Sequence, residues 1–333
     1  MAGFLLRRLG FMAVVLVCVT LITFLLIELA PGDTARLLAG PQASEAAVAQ
    51  IREEMGLDAP LAARYAGYLA DIVRLDFGTS VVTGRPVLTE IAERAPATFE
   101  LMILASLIAL GIGVPLGVAG AMHRGRAPEA AARAVSIIGA SAPGFWVGLL
   151  LILLFYRTLD WFPASGRFTG TPPDAITGFL TIDALLRGDW TGFRIAFAHL
   201  LLPALSLALL ELGVYARLVK NQMLGVLGQD YIRVARAGGL NEGEVLRHHA
   251  LRNGLAPIVT IVAASLATML YGSVSVETVF GWPGAGRFVV QSIFKLDLPV
   301  VMGFAVLTAA AYVIANALAD LVYAGLDPRV RLE

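Results

Sequence analysis

Six apolar stretches, each about as long as a membrane is thick, constrain this chain more than any other feature. They cover 9–30, 98–122, 134–156, 198–216, 254–280 and 298–323, and most are nearly free of charge. About 20 apolar residues cross the hydrocarbon core as an α-helix. No water reaches that depth, so each segment must satisfy its own backbone N–H and C=O groups. Barrel strands would alternate polar and apolar residues, and these runs do not. The expected fold class is therefore all-α: a polytopic membrane protein with six transmembrane helices. Composition agrees, with 58% hydrophobic and 15% charged residues. Arg7 and Arg8 precede the first run as they would a signal peptide. The run is 22 residues long, however, and Pro31-Gly32-Asp33 stands where a small-residue cleavage site belongs, so it is read as a permanent helix.

Lysine and arginine resist translocation, so their placement orients the spans. Segments 1–8, 123–133, 217–253 and 324–333 hold thirteen of them in 66 residues, whereas 31–97, 157–197 and 281–297 hold twelve in 125. Both termini are expected in the cytoplasm. The chain then divides into a cytoplasmic N-terminus with helix one (1–30), an external domain (31–97), a membrane core with helices two to six (98–323) containing a cytoplasmic element (217–253), and a cytoplasmic tail (324–333). In the external segment Val48, Ile51 and Met55 share one helical face, and so do Leu61, Tyr65, Leu69 and Ile72, with Pro60 suited to a helix start. Residues 85–94 are read as a third short helix leading into the second span.

Several functions are disfavoured. Twenty-five basic residues balance twenty-five acidic ones, with no excess to attract nucleic acid. The one cysteine, Cys18, lies in an apolar run, which excludes a disulfide framework and leads us to expect a packed thiol. The only lysines, Lys220 and Lys295, lie outside any phosphate-binding loop, and HExxH and GxSxG patterns are absent. No catalytic residue, metal or resident cofactor is expected, so the chain moves or holds something.

The most informative segment is 230–257. Residues 230–237 favour helix, Gly238-Gly239 offers a left-handed stop, and Asn241 with Glu244 three residues later matches a capping box. The expected form is helix, tight turn, helix. Such a rigid cytoplasmic projection suits a soluble partner, because a flexible loop would lose transmitted motion as entropy. The plainer alternative is an ordinary hairpin.

This stretch resembles the coupling motif of ABC-importer permeases, in particular the first permease subunit of the dipeptide/oligopeptide/nickel family. Further motifs similar to that family are Pro31-Gly32-Asp33, Met55-Gly-Leu-Asp-Ala-Pro60, Arg64-Tyr65, Asp76-Phe-Gly-Thr-Ser80, Leu251-Arg-Asn253, Glu277-Thr-Val-Phe-Gly-Trp-Pro-Gly-Ala-Gly-Arg287 and Leu326-Asp-Pro-Arg329. The likeness runs end to end. Where the general ABC pattern has Glu-Ala-Ala before glycine, this chain has Arg233, Val234 and Ala235, the form usual in peptide permeases. The resemblance implies an ATPase-coupling role for Tyr231, Arg233, Val234, Ala235, Arg236, Ala237, Gly238, Gly239, Leu240, Arg252 and Asn253. It also implies partners: a second homologous permease subunit, two ATPase subunits that bind ATP and Mg, and a periplasmic or lipid-anchored solute-binding protein, all working in membrane lipid. Solute would then move by alternating access.

Candidate pathway residues are Glu211, Ser141 and Glu277. Glu211 is a carboxylate inside span four, costly enough there to suggest function, though pairing with a neighbouring helix or Arg217 would also explain it. Ser141-Ala-Pro-Gly144 breaks span three, and such a break can either expose carbonyls to a solute or simply kink the helix. Glu277 belongs to the external motif. Trp282, Pro283 and Gly284 are candidates for an external gate, with Trp282 at headgroup level; a plain turn is the alternative. Asn316 and Asp320, and the glycines 111, 113, 117 and 120, are expected in helix contacts. Adjacent His248 and His249 cannot face one metal. A proton-coupled carrier using Glu211, or a non-transporting scaffold, are the rival readings.

Overall fold

The computed structural model describes residues 2–28, 35–36, 43–54 and 59–326. The motifs at 31–33, 55–58 and 327–329 lie outside these residues, as do the side chains of Arg252 and Asp320. Among the described residues every regular element is a helix, apart from one isolated bridge between Thr79 and Pro86, and turns and irregular backbone join them.

The helices are α1 (Ala2–Glu28), α2 (Glu45–Glu54), α3 (Leu61–Val73), α4 (Val87–Met122), α5 (Ala127–Ser141), α6 (Gly144–Leu151, continued by a π-helical turn Ile152–Thr158), α7 (Leu180–Leu186), α8 (Trp190–Leu227), α9 (Asp230–Ala237), α10 (Glu242–Glu244, followed by a π-helical turn Val245–Ala250), α11 (Leu251–Val279), α12 (Ala285–Phe294) and α13 (Leu298–Leu326). Every described residue of the first five apolar runs but Ala142, Pro143 and Phe280, and all of the sixth, lies in one of them. Val87–Met122, Trp190–Leu227 and Leu298–Leu318 are each long and apolar enough to cross a membrane; Ala127–Gly139 with Gly144–Thr158 makes a fourth if the bent pair is one span, and Gly10–Leu26 is a shorter apolar helix. The count of six crossings rests on the sequence.

The helix expected over 85–94 is not separate. It starts at Val87 and continues unbroken as α4. Cys18, expected to be packed, is exposed on α1.

The chain divides into two compact units, Met1–Pro96 with Pro283–Ile314, and Ala97–Trp282 with Ala315–Leu332. In the first, α3 begins after Pro60 and leans on α1: Thr20 and Tyr65 hydroxyls meet at 3.0 Å, Arg64 pairs with Glu28 at 2.7 Å, and Phe24 packs between Tyr65 and Tyr68. Val87, Ile91, Ala285 and Val300 form its small core with Phe77 and Phe288. Asp297 is buried and clamps the 80–82 turn, accepting from the Ser80 hydroxyl and from the Val81 and Val82 N–H groups at 3.2 and 3.4 Å.

In the second unit, small residues set the helix spacing. A Cβ on Gly117 would lie 2.7 Å from the Ala216 carbonyl, and one on Gly139 would lie 2.7 Å from the Leu209 carbonyl, so α4 and α5 approach α8 backbone to backbone. The core holds Leu101, Leu202, Leu207, Tyr215, Met269, Phe280 and Trp282. The break between α5 and α6 is real. Ala142 and Pro143 are extended (φ −88, ψ 124 and φ −64, ψ 138), because proline disfavours helical backbone in the residue before it.

Candidate functional site

The segment 230–253 folds as its local chemistry dictates. In α9, Ile232 is fully buried in one cluster with Val219, Met223, Val245 and Ala250, which anchors the helix to α8 and to the π-helical turn that leads into α11. Gly239 then adopts φ +87, a conformation open to glycine at little cost, and Leu240 N–H bonds back to the Ala235 carbonyl at 3.3 Å. The next helix opens with a complete capping box between Asn241 and Glu244. Across the turn, Arg236 grips Glu242 through two hydrogen bonds of 2.7 and 3.0 Å. The Arg236 guanidinium holds the Glu242 carboxyl below the usual carboxylate range, and Glu242 in turn raises Arg236. Asn253 donates its amide to the Tyr231 hydroxyl and to the His249 carbonyl, both at 3.1 Å, tying the start of α11 to α9.

Anchored below by Ile232 and the half-buried Ala235, the element leaves Tyr231, Val234 and Leu240 exposed, Val234 by 70%. Arg233 pairs with Asp230 on the same exposed helix, and Ala237 and Gly238 complete the open turn. The result is a stiff apolar edge flanked by charge.

The other predicted residues are scattered. Glu211 is half-buried on α8 and forms no ion pair among the described residues; Arg217, further along the same helix, is exposed. Ser141 closes α5 and lines an open, apolar groove of about 480 Å3 with Ile137, Pro143 and Trp146. Glu277 is fully buried and accepts from the Thr98 hydroxyl at 2.7 Å. Trp282 is fully buried within the protein: its indole N–H donates to the Ala97 carbonyl at 2.9 Å, and the Arg167 guanidinium sits 5.6 Å from its ring centre. Gly281 at φ +59 follows the end of α11 and turns Trp282 inward, with the Trp282 N–H reaching back to the Glu277 carbonyl at 2.9 Å. Pro283 precedes the extended Gly284 that caps α12.

Sequence reasoning missed a second set of charges in this unit. Glu100 is buried in α4, where it accepts from Arg167 at 3.1 Å and from the Thr181 N–H and hydroxyl at 2.8 and 2.6 Å. Asp183 gathers the Thr177 hydroxyl and the Thr177 and Gly178 N–H groups. Burial pushes its carboxyl up, but those bonds outweigh it and hold it below the ordinary aspartate value. The 157–197 segment is thereby fastened to α4. Glu100 carried a signal, being an unbalanced carboxylate at the head of an apolar run.

Family models for the binding-protein-dependent transport system inner membrane component match residues 113–332, and their N-terminal counterpart matches residues 1–102. The chain belongs to this family. Among relatives, the probable D,D-dipeptide transport system permease protein DdpB of Escherichia coli K12 is 48% identical, covering 94% of this chain and 92% of that protein. The dipeptide transport system permease protein DppB of the same strain is 38% identical, covering 99% of each. The di/tripeptide permease DppB of Pseudomonas aeruginosa UCBPP-PA14 is also 38% identical over 99% of each. The chain is thus an ABC-importer permease: an all-helical, multi-pass inner-membrane subunit of a larger transport assembly.

Proposed function

We propose that this permease carries dipeptides or related small peptides inward, powered by two partner ATPase subunits that grip residues 230–253, and fed by a solute-binding protein outside. A second homologous permease completes the pathway, ATP and Mg stay with the ATPases, and both termini face the cytoplasm. The permease itself hydrolyses nothing, in keeping with a sequence that lacks a phosphate-binding loop.

One observation carries the coupling part of the reading. The capped turn around Gly239 is rigid, rooted in the bundle by Ile232 and apolar on its exposed edge at Tyr231, Val234 and Leu240. When the ATPases close on ATP, an element of this stiffness passes their displacement to α8 and α11 rather than absorbing it. The pathway then switches between inward-facing and outward-facing states. Glu211, Ser141 and Glu277 are the residues we assign to the pathway, and the 282–284 turn to its external end.

The test is uptake of labelled dipeptide by the reconstituted complex with its binding protein. Accumulation that requires ATP supports the reading; accumulation driven by a proton gradient without ATP would replace it with a carrier mechanism.

A further inference from the structure

Glu211 does not stand alone. Tyr215 lies one turn further along α8, on the same face, and Ser265 comes from α11; the Ser265 hydroxyl is close enough to interact with both the Glu211 carboxylate and the Tyr215 phenol. Tyr215 is 1% exposed, and its hydroxyl has no hydrogen-bond partner among the described residues. Buried hydroxyls without partners are rare enough to call for an explanation. Ser265 is also buried. Three polar groups therefore lie near one another within a membrane-crossing bundle, and the buried Tyr215 hydroxyl is left without a bond.

The acceptor count defines what fits there. A carboxylate offers about four lone-pair sites, and the two hydroxyl oxygens add more, whereas the cluster contains only two protons to donate. The missing component is a cation rich in donors. No lysine or arginine supplies it, since Glu211 has no ion pair among the described residues. A metal ion is a poor match, because the described residues contain no group of three or more His, Cys, Asp or Glu able to hold one. The break in the third apolar run lies at the same level: a Cβ on Gly144 would meet Leu210 at 3.1 Å, and the Gly144 carbonyl accepts from Ser206 at 2.8 Å.

We propose that Glu211, Tyr215 and Ser265 form a station within the membrane that takes the ammonium group of a passing solute. An ammonium brings one positive charge and three donors, which the carboxylate and the two hydroxyl oxygens accept. A free peptide carries that group at its amino end. The inference rests on the peptide-importer reading above and adds where in the bundle the solute is held, and by which end.

The experiment measures uptake of labelled Ala-Ala per assembled complex, with ATP turnover recorded in parallel, in the full complex with its binding protein. Glu211→Gln keeps the shape and removes the charge, and is expected to lower uptake about tenfold or more while ATP turnover stays near that of the unsubstituted complex. Glu211→Asp, which restores the charge, should recover most of the uptake, and Tyr215→Phe should show a smaller loss. Glu211→Gln transporting as well as the unsubstituted complex would overturn the proposal. So would Gln and Asp variants equally impaired together with loss of assembly, which would make Glu211 a packing residue. If the unsubstituted complex fails to import Ala-Ala at all, the peptide reading falls first, and this inference with it.

Discussion

Asn241 and Glu244 hold each other's backbone: the Asn241 side-chain oxygen accepts from the Glu244 N–H at 3.0 Å, and the Glu244 carboxylate accepts from the Asn241 N–H at 2.9 Å. This reciprocal cap starts the second helix of the 230–253 element, to which we assign the coupling role. Asn241→Ala should destabilise that helix by about 1 kcal/mol. Hydrogen exchange over 240–250 should rise while exchange in α4 and α8 stays unchanged. Equal protection in the variant would show that tertiary packing alone holds the element.

Gly239 gives a sharper test, because its φ of +87 is the whole constraint: nothing lies within 4 Å of a Cβ built there. A β-branched residue would strain the backbone by about 1–3 kcal/mol without any clash. Gly239→Val should insert normally, yet lose its ATPase subunits on purification or turn over ATP uncoupled from uptake. Gly239→Asn, which tolerates the left-handed region better, should be milder. Normal ATP-dependent uptake by the valine variant, and by an Arg233→Glu and Arg236→Glu double variant, would remove this element as the coupling site.

The Arg236–Glu242 pair predicts a pH dependence. Arg236 lowers Glu242 from its reference of 4.5, so the folded carboxyl gives up its proton more readily than the unfolded one. The stabilisation is therefore present above that reference and is lost as pH falls through the lowered value. Both side chains are substantially exposed, so the effect is small and screened by salt. The difference in thermal midpoint between the unsubstituted chain and Glu242→Gln should be measurable at neutral pH in low salt. It should vanish in acid or high salt. A difference that persists in acid would mean the pair is not its source.

Two glycines of one helix should behave differently. At Gly117 a Cβ would lie 2.7 Å from both the Ala216 carbonyl and the Val219 Cβ, whereas at Gly111 nothing lies within 4 Å. Gly117→Ala forces α4 away from α8, at about 1–3 kcal/mol. Gly111→Ala should be neutral or slightly stabilising. Thermal stability of the purified complex checks both, and equal behaviour would refute the close approach.

The orientation drawn from charge density is tested by labelling. In a Cys18→Ala background, Ala59→Cys should react with an impermeant thiol reagent from outside spheroplasts, and Gly243→Cys only after permeabilisation. The reverse pattern would invert the topology. Removing Cys18 matters, because that thiol is exposed on α1.

The sequence by itself determined what depends on neighbours along the chain. Long apolar runs must be helices in hydrocarbon, Pro143 had to break its helix, and Gly239 with Asn241 and Glu244 encodes a turn whose bonds span only a few residues. Such features are legible because the interacting groups are separated by one helical turn or less. Tertiary structure decided the rest. Glu100 meets Arg167 across 67 residues, and Ser80 meets Asp297 across 217. Trp282 was legible only as part of a turn; the left-handed Gly281 carries its ring to the Ala97 carbonyl, 185 residues away in the chain. Sequence periodicity cannot anticipate those pairings, because which charges are buried together depends on where separate helices come to rest. The same reason explains why Glu211 could be singled out from the sequence, with Tyr215 one turn along the same helix, while Ser265 could be recognised as a neighbour only once α8 and α11 had packed.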